Sequence, residues 1–413
     1  MKTPFERFDM AKAPVRTRWY LHPITLLLSI PTVMLHRNKL KKIGMKGIKP
    51  PYVLLCNHNA FMDFKVATKA IFPHRANYVV AIDGFIGREW LLRNVGCICK
   101  RKFTNDVMLI RQLARTIENG DIAVIYPEAR YSLCGTTAIL PESLGKMCRL
   151  LGVPVVSLIC HGHHVNAPFW NTRNRGVAPT EAEMTLLFTA DEIKKTPVPE
   201  INRKIVEAFQ YDDFAWQKEK GIKIDYPKRA EGLEKVLYQC PACGKEYVIR
   251  SHGTQLCCSH CGKVWEMTEL GELKAVEGKT EFSHIPDWYE WERANVRAEV
   301  DAGKYDSGEL QVDIWTLPNA VKFQHLGEGT LRHSMNGFSV KGTDVDGDPF
   351  GQDWPVPSLY SCHIEYDYLG RYGDCVDLNT LEDTWYIYPK GKEFSVTKFA
   401  LATEELWKKQ KGL

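Results

Sequence analysis

No stretch of this chain is apolar for the length a bilayer requires. The most apolar segment, Leu21 to Leu35, falls short of the ~20 residues needed and is broken by Pro23 and Pro31. This excludes a membrane-spanning helix there. A basic start leading into a continuous apolar core is also lacking, so no secretory signal is expected. Charge of one sign is scarce: 54 Lys and Arg stand against 50 Asp and Glu, a formal net charge of +4, which excludes a polyanion binder acting through its whole surface. What is present is 44% hydrophobic residues in a chain of 413, ample for packed cores in two or three domains. The 13 cysteines, in a chain this long with no signal core, indicate thiols in a reducing, cytoplasmic setting rather than a disulfide framework. Cys56, Cys97, Cys99, Cys134, Cys148 and Cys160 lie mostly in apolar runs and read as core thiols.

The first 49 residues differ from the average. They carry eleven Lys or Arg against two acids, Glu6 and Asp9. The apolar segment within them is flanked by Arg16, Arg18, Arg37, Lys39, Lys41 and Lys42, with Trp19 and Tyr20 at its leading edge. Cationic and aromatic flanks suit the surface of an anionic membrane. A core-packing helix with a solvated basic face is the structural alternative.

Residues 57–63, Asn57-His58-Asn59-Ala60-Phe61-Met62-Asp63, put an imidazole four intervening residues before a carboxylate. The run Tyr52 to Cys56 reads as a short buried strand and Phe61 to Phe72 as the helix after it. His58 then falls in the connecting loop and Asp63 in the first helical turn, where its charge suits the helix dipole. An imidazole fixed by a carboxylate at one nitrogen can take a proton from a hydroxyl at the other, which is general-base geometry. A His and an Asp at this distance also occur in purely structural roles, so downstream residues decide the weight of the pair.

From Pro50 to about Tyr226 strands and helices alternate, which predicts an α/β layered fold. Strands are expected at Tyr52 to Cys56, Tyr78 to Ile82, Cys97 to Lys100, Ile122 to Tyr126 and Val155 to Ile159. Asn105 and Asp106 open a helical pattern through Val107, Ile110, Leu113, Ala114 and Ile117, and Gly120 closes it. Four short blocks lie along this region in order: Asn57-His58 with Asp63; Val95 to Arg101; Tyr126-Pro127-Glu128-Ala129-Arg130-Tyr131-Ser132; and the apolar run Val153 to Ile159. In content and order they resemble the blocks of the glycerolipid acyltransferase family, typified by the 1-acylglycerol-3-phosphate acyltransferases.

That resemblance implies an acyltransferase moving a fatty acyl group from an acyl thioester, of coenzyme A or acyl carrier protein, to the hydroxyl of a lysophospholipid. The simplest case is 1-acylglycerol-3-phosphate to phosphatidate. His58 would be the base and Asp63 its orienting carboxylate, with Asn57, Arg101, Glu128 and Arg130 at the substrate. In the third block Ala129 stands where the family has Gly, Arg130 where it has Thr and Tyr131 where it has Arg. The arginine has moved one position, which keeps other lysolipid acceptors open; a lipid-binding scaffold without turnover is the remaining alternative. His161, His163 and His164 follow the fourth block with no carboxylate or cysteine at a ligand spacing, and read as a polar loop.

Cys240-Pro241-Ala242-Cys243 and Cys258-Ser259-His260-Cys261 are two Cys-x-x-Cys knuckles separated by fourteen residues, each followed by glycine. Four thiolates so spaced can close a tetrahedral zinc site with no open position, hence a structural zinc ribbon; Cys257 adjoins the second knuckle. A helix is expected over 286–305, then alternating strands from Leu310 and a terminal amphipathic helix, a pattern resembling a pleckstrin-homology-like sandwich or barrel. The expected organisation is a membrane-associating segment at 1–49, an acyltransferase domain at 50–228, a zinc ribbon at 235–270, a linking helix at 284–306 and a β-rich domain at 308–413. The chain is expected to sit in the cytoplasm, peripheral or monotopic on the inner face of a membrane, with an anionic membrane surface as partner and nucleic acid not expected.

Overall fold

The structure, a computed structural model, describes residues 6–368 and 373–413. The first five residues of the basic segment, and 369–372 of the β-rich region, lie outside the described residues. The chain divides into two compact units: Asp9–Lys100 with Asp106–Ile224, and Met1–Phe8 with Arg101–Asn105 and Asp225–Leu413.

The first unit is built on a seven-stranded sheet of β1 (Lys39–Ile43), β2 (Val53–Cys56), β3 (Ala76–Ala81), β4 (Ile98–Lys100), β5 (Ile122–Ile125), β6 (Val155–His161) and β7 (Glu181–Phe188). Their spatial order is β1-β7-β6-β2-β5-β3-β4. All neighbours are parallel except β6 and β7, which run antiparallel. The helices are α1 (His22–Leu35), α2 (Met62–Ile71), α3 (Glu89–Asn94), α4 (Val107–Glu118), α5 (Ser143–Leu151), α6 (His163–Asn166), α7 (Ala190–Lys195), α8 (Val198–Ala208) and α9 (Asp213–Glu219).

The central strands are apolar throughout because both faces are covered. Val53 and Leu55 of β2 join Ile125, Leu113, Leu144, Ile201 and Ile205 in one core cluster, and alternation turns Leu54 and Cys56 to the other face. Helix α4 starts where sequence placed it: the Asp106 carboxylate accepts from Met108 N at 2.8 Å. It ends at Gly120, whose φ of 75° places it in the left-handed region.

Strands β1 and β7 go beyond what periodicity predicts. Three of the five residues of β1 are lysines and its pattern is mostly exposed; cationic side chains on an edge strand hide its strand character and deter edge pairing. The basic start of the chain therefore contributes a strand to this sheet. Its apolar segment forms α1 and packs on α2, with Lys65 Nζ donating to Thr32 Oγ1 at 3.0 Å.

In the second unit β8 (Ile249–His252), β9 (Gln255–Cys258), β10 (Val264–Met267) and β11 (Leu273–Ala275) form an antiparallel sheet ordered β11-β10-β9-β8. Helix α10 (Ile285–Asp301) follows, its Trp288 ring edge-on to Trp265 of β10 at 5.0 Å. Then come β12 (Leu310–Thr316), β13 (Gln324–Ser334), β14 (Gly337–Asp344), β15 (Pro349–Pro355), β16 (His363–Glu365), β17 (Cys375–Asn379), β18 (Thr384–Pro389) and α11 (Val396–Lys411). These strands make one antiparallel sheet in the order β15-β14-β13-β12-β18-β17-β16, two meanders joined where β12 pairs with β18. The expected linking helix α10 also packs on α11: Arg293 Nη1 reaches Glu404 at 2.7 Å and Arg297 Nε reaches Glu405 at 2.6 Å.

Candidate active site

Strands β6, β2 and β5 are adjacent and parallel, so the loops leaving their carboxyl ends meet. Open α/β sheets carry their sites at such ends. The loop after β2 holds His58, the loop after β5 holds Tyr126 to Ser132, and the turn after β6 holds His163.

His58 is clasped by its own backbone: its N–H donates to Glu128 Oε1 at 3.2 Å and its C=O accepts from Ser132 N at 2.8 Å. Its ring lies between Tyr126 and Tyr131, with centroids 4.4 and 4.3 Å away. The side chain is 24% exposed and its Nδ1 stands 3.4 Å from Asp63 Oδ2, longer than a well-formed hydrogen bond. Asp63 is buried at the start of α2. Its Oδ2 accepts from Asn59 N at 2.5 Å and Ala60 N at 2.9 Å, which ties the loop into a cap for the helix. Its Oδ1 is 2.5 Å from His163 Nδ1. Burial alone would raise the Asp63 carboxyl, but the hydrogen bond from His163, and then the facing His58, hold it down at about 2. The expected pair is thus a trio, His58, Asp63 and His163.

The remaining expected site residues are placed as follows. Asn57 is buried and bonds the Cys160 backbone twice, donating to its C=O at 2.9 Å and accepting from its N–H at 2.8 Å. It pins β2 to β6. Glu128 is buried too; Oε2 accepts from Ala138 N at 2.9 Å. Burial pushes its carboxyl up to about 8, against the pull of the Ala138 and His58 N–H groups and the Arg130 charge. Both side chains therefore build the loops around His58. Arg130 is likewise buried, with its charge acting on Glu128. Tyr131, where the family has Arg, lies against the His58 ring.

Arg101 corrects the sequence expectation. Strand β4 is the sheet edge, three strand spacings, about 14 Å, from β2, and Arg101 after it belongs to the second unit. There it is buried and donates to Leu317 O at 3.1 Å, Thr384 Oγ1 at 2.7 Å and Pro318 O at 3.3 Å. A guanidinium committed to backbone carbonyls is not offered to a phosphate. Neighbouring Lys102 is likewise engaged, 2.9 Å from His363 Nε2.

Sequence reasoning missed His163, because no short spacing links it to Asp63. The available signal was positional: in a parallel fold the strand of the fourth block neighbours that of the first, so a His just past it faces the same loops. No ligand spacing along the sequence marks these histidines, yet the fold brings donor atoms of Asp63, Cys160 and His163 within 4.8 Å of one another. The turn that aims His163 is fixed by Gly162, at φ 87°, where a Cβ would meet Trp216 at 2.8 Å. The buried Asp213 accepts from Gly162 N at 3.1 Å and His164 N at 2.9 Å. His161 and His164 flank it; burial lowers His164 to about 4.

In the second unit Cys240, Cys243, Cys258 and Cys261 converge. Cys240 Sγ and Cys261 Sγ are 3.8 Å apart, as are Cys243 Sγ and Cys258 Sγ. Four sulfurs at 2.3 Å from a tetrahedral zinc are about 3.8 Å apart, so the residues fit the ion. The knuckles repeat one geometry: Gly244 N and Gly262 N donate to Cys240 O and Cys258 O, at 2.8 and 3.0 Å. Cys257 stays outside the group, paired across the sheet with Val264.

A solvent-reachable imidazole thus faces a buried carboxylate at the carboxyl ends of adjacent parallel strands. Residues 33–161 match the family described as Acyltransferase. Solved structures also match, among them the 1-acyl-sn-glycerophosphate (LPA) acyltransferase PlsC of Thermotoga maritima, at 16% identity and a TM-score of 0.38, over 49% of this chain and 80% of that one. No curated protein matches the chain.

Proposed function

We propose that the chain transfers a fatty acyl group from an acyl thioester, of coenzyme A or acyl carrier protein, to the hydroxyl of a lysophospholipid, most simply 1-acylglycerol-3-phosphate to give phosphatidate. The observation that carries this is the His58–Asp63 pair inside the acyltransferase domain, with a ring both reachable and held. The acceptor hydroxyl attacks the thioester carbonyl as its proton passes to His58, and Asp63 stabilises the imidazolium. The tetrahedral intermediate collapses, the C–S bond breaks, and the thiolate leaves with the proton from His58. No covalent enzyme intermediate is needed. The commitment of Arg101 to carbonyls, and the aromatic Tyr131 against His58, favour a second reading within the class: an acceptor other than lysophosphatidate.

Attachment to an anionic membrane belongs to the same proposal, with the chain on the cytoplasmic, inner face. No helix among the described residues is long and apolar enough to cross a membrane. Helix α1 instead turns Ile24, Leu27, Leu28, Met34 and Leu35 outward, Leu27 72% and Leu35 75% exposed. These positions share one helical face, and Arg18, Arg37, Lys39, Lys41 and Lys42 around it are exposed. An apolar stripe rimmed by cations suits insertion among anionic headgroups. The four cysteines are proposed to hold a structural zinc, and the antiparallel sheet with its terminal helix to form a pleckstrin-homology-like domain.

The test is transfer of labelled palmitoyl from its coenzyme A thioester to lysophosphatidate on anionic vesicles, wild type against His58→Ala. The variant is expected to lose about 10²- to 10⁴-fold. If wild type is silent with that donor, with acyl carrier protein and across a panel of lysolipids, the chain is a scaffold and this reading is wrong.

A further inference from the structure

We propose that His163 is a positioning residue for the His58–Asp63 pair: it fixes the carboxylate that orients the base. This rests on the acyl-transfer reading and adds to it a residue from a strand remote in sequence. Ionised Asp63 only accepts hydrogen bonds, so the 2.5 Å contact means that His163 Nδ1 carries the proton and donates to Oδ1. Two backbone N–H groups hold Oδ2. The carboxylate plane is therefore set by three donors before His58 engages it, and at 3.4 Å His58 holds it least tightly.

The burial of His163 points the same way. The side chain is 1% exposed and its Nε2 has no hydrogen-bond partner among the described residues. Leaving a buried polar atom unsatisfied is costly and rare, and an apolar side chain would fill that half of the site at no such cost. Among the described residues, the bond to Asp63 is the polar contact that explains an imidazole there. Asp213, Gly162 and the stacked His161 and Trp216 rings, 6.1 Å apart, secure the turn that presents it.

The other titratable groups facing Asp63 are Cys56, Cys160, Tyr126 and Tyr211, all held protonated by burial, and Glu128, which is common to every variant compared.

The experiment compares wild type, His163→Leu and His163→Asn, whose amide N–H can replace Nδ1–H, in the full chain. Rates are taken with palmitoyl-coenzyme A and the accepted lysolipid. His163→Leu is expected to lower kcat about 10- to 100-fold, the range for a partner acting through another group, with KM little changed; His163→Asn is expected to recover most of the rate. Wild-type kcat in the Leu variant, or an Asn variant no better than Leu, would overturn the proposal. Proton NMR gives a readout independent of turnover: a far-downfield imidazole proton, lost in His163→Leu and retained in His58→Ala, is expected. Its absence from wild type overturns the bond itself. A wild type inactive on every lysolipid overturns the acyl-transfer reading and the catalytic half of this proposal, while the resonance still decides the Asp63–His163 contact.

Discussion

The four-cysteine cluster and the His58 corner are both knots of polar side chains, yet they are tied differently. In the cluster each Cys-x-x-Cys knuckle is a local turn closed by Gly244 or Gly262, and the 3.8 Å sulfur contacts run from one knuckle to the other. A hairpin of β9 and its neighbours then joins the two. In the His58 corner the local spacing caps Asp63 with Asn59 N and Ala60 N but brings His58 only to 3.4 Å from it, and the other contacts come from Glu128, Ser132 and His163 on two other loops. A ligand can organise the first; the second depends on the sheet that aligns β6, β2 and β5. Local spacing suffices where chemistry is local, and misleads where strands supply the partners.

The largest expected effect tests the local knot. Chelation, or Cys240→Ser with Cys258→Ser, should remove the zinc and unfold the ribbon, since structural zinc supplies on the order of 10 kcal/mol. Metal content and the fluorescence of buried Trp265 report it; unchanged emission with no metal bound would show that the fold holds the sulfurs unaided and erase the contrast. Next comes Glu128, through which the remote loop holds His58. Its folded carboxyl is raised to about 8 from 4.5, so the folded state binds the proton more tightly. The stability this gives is full below pH 4.5 and lost as pH rises through about 8, on the order of a few kcal/mol. Urea midpoints of wild type should therefore fall between pH 5 and 9, while those of Glu128→Gln stay flatter.

A smaller effect concerns the outer face of the same unit. Leu27→Glu with Leu28→Glu should release the chain from anionic vesicles with little loss of fold, as each inserted leucine contributes about 1.5 to 3 kcal/mol; cosedimentation equal to wild type would place the membrane contact elsewhere. The smallest is Ala129→Gly. Ala129 sits at φ 55° in the loop carrying Glu128, a left-handed conformation costing a residue with a Cβ about 1 kcal/mol. The glycine variant should raise the unfolding free energy by about that amount, and a lower midpoint would show that the alanine methyl packs usefully.

Much of the secondary structure was legible. The strands at the first, third and fourth blocks, helix α4 with its Asp106 cap and Gly120 stop, and helix α10 all follow from apolar runs bounded by capping and turn residues. Strand β1 was not legible because its lysines answer to an edge position that only the sheet defines. Arg101 was misread for a related reason. A basic residue beside a short apolar run looks the same whether it meets a ligand or, as here, backbone carbonyls. Ala129 was legible only as a departure from a family glycine; its φ gives that glycine a reason.

What the sequence determined by itself was every feature with a short period: buried strands, capped helices, paired Cys-x-x-Cys knuckles, and a His and an Asp one helical entry apart. Such features depend on backbone geometry within a few residues. What only the tertiary structure decided was partnership. The sheet order put His163 on Asp63 and β4 at the edge far from β2, and helix packing turned the apolar stripe of α1 outward. Hydrogen bonds act over about 3 Å in space, and no spacing along the chain encodes which remote donor arrives there.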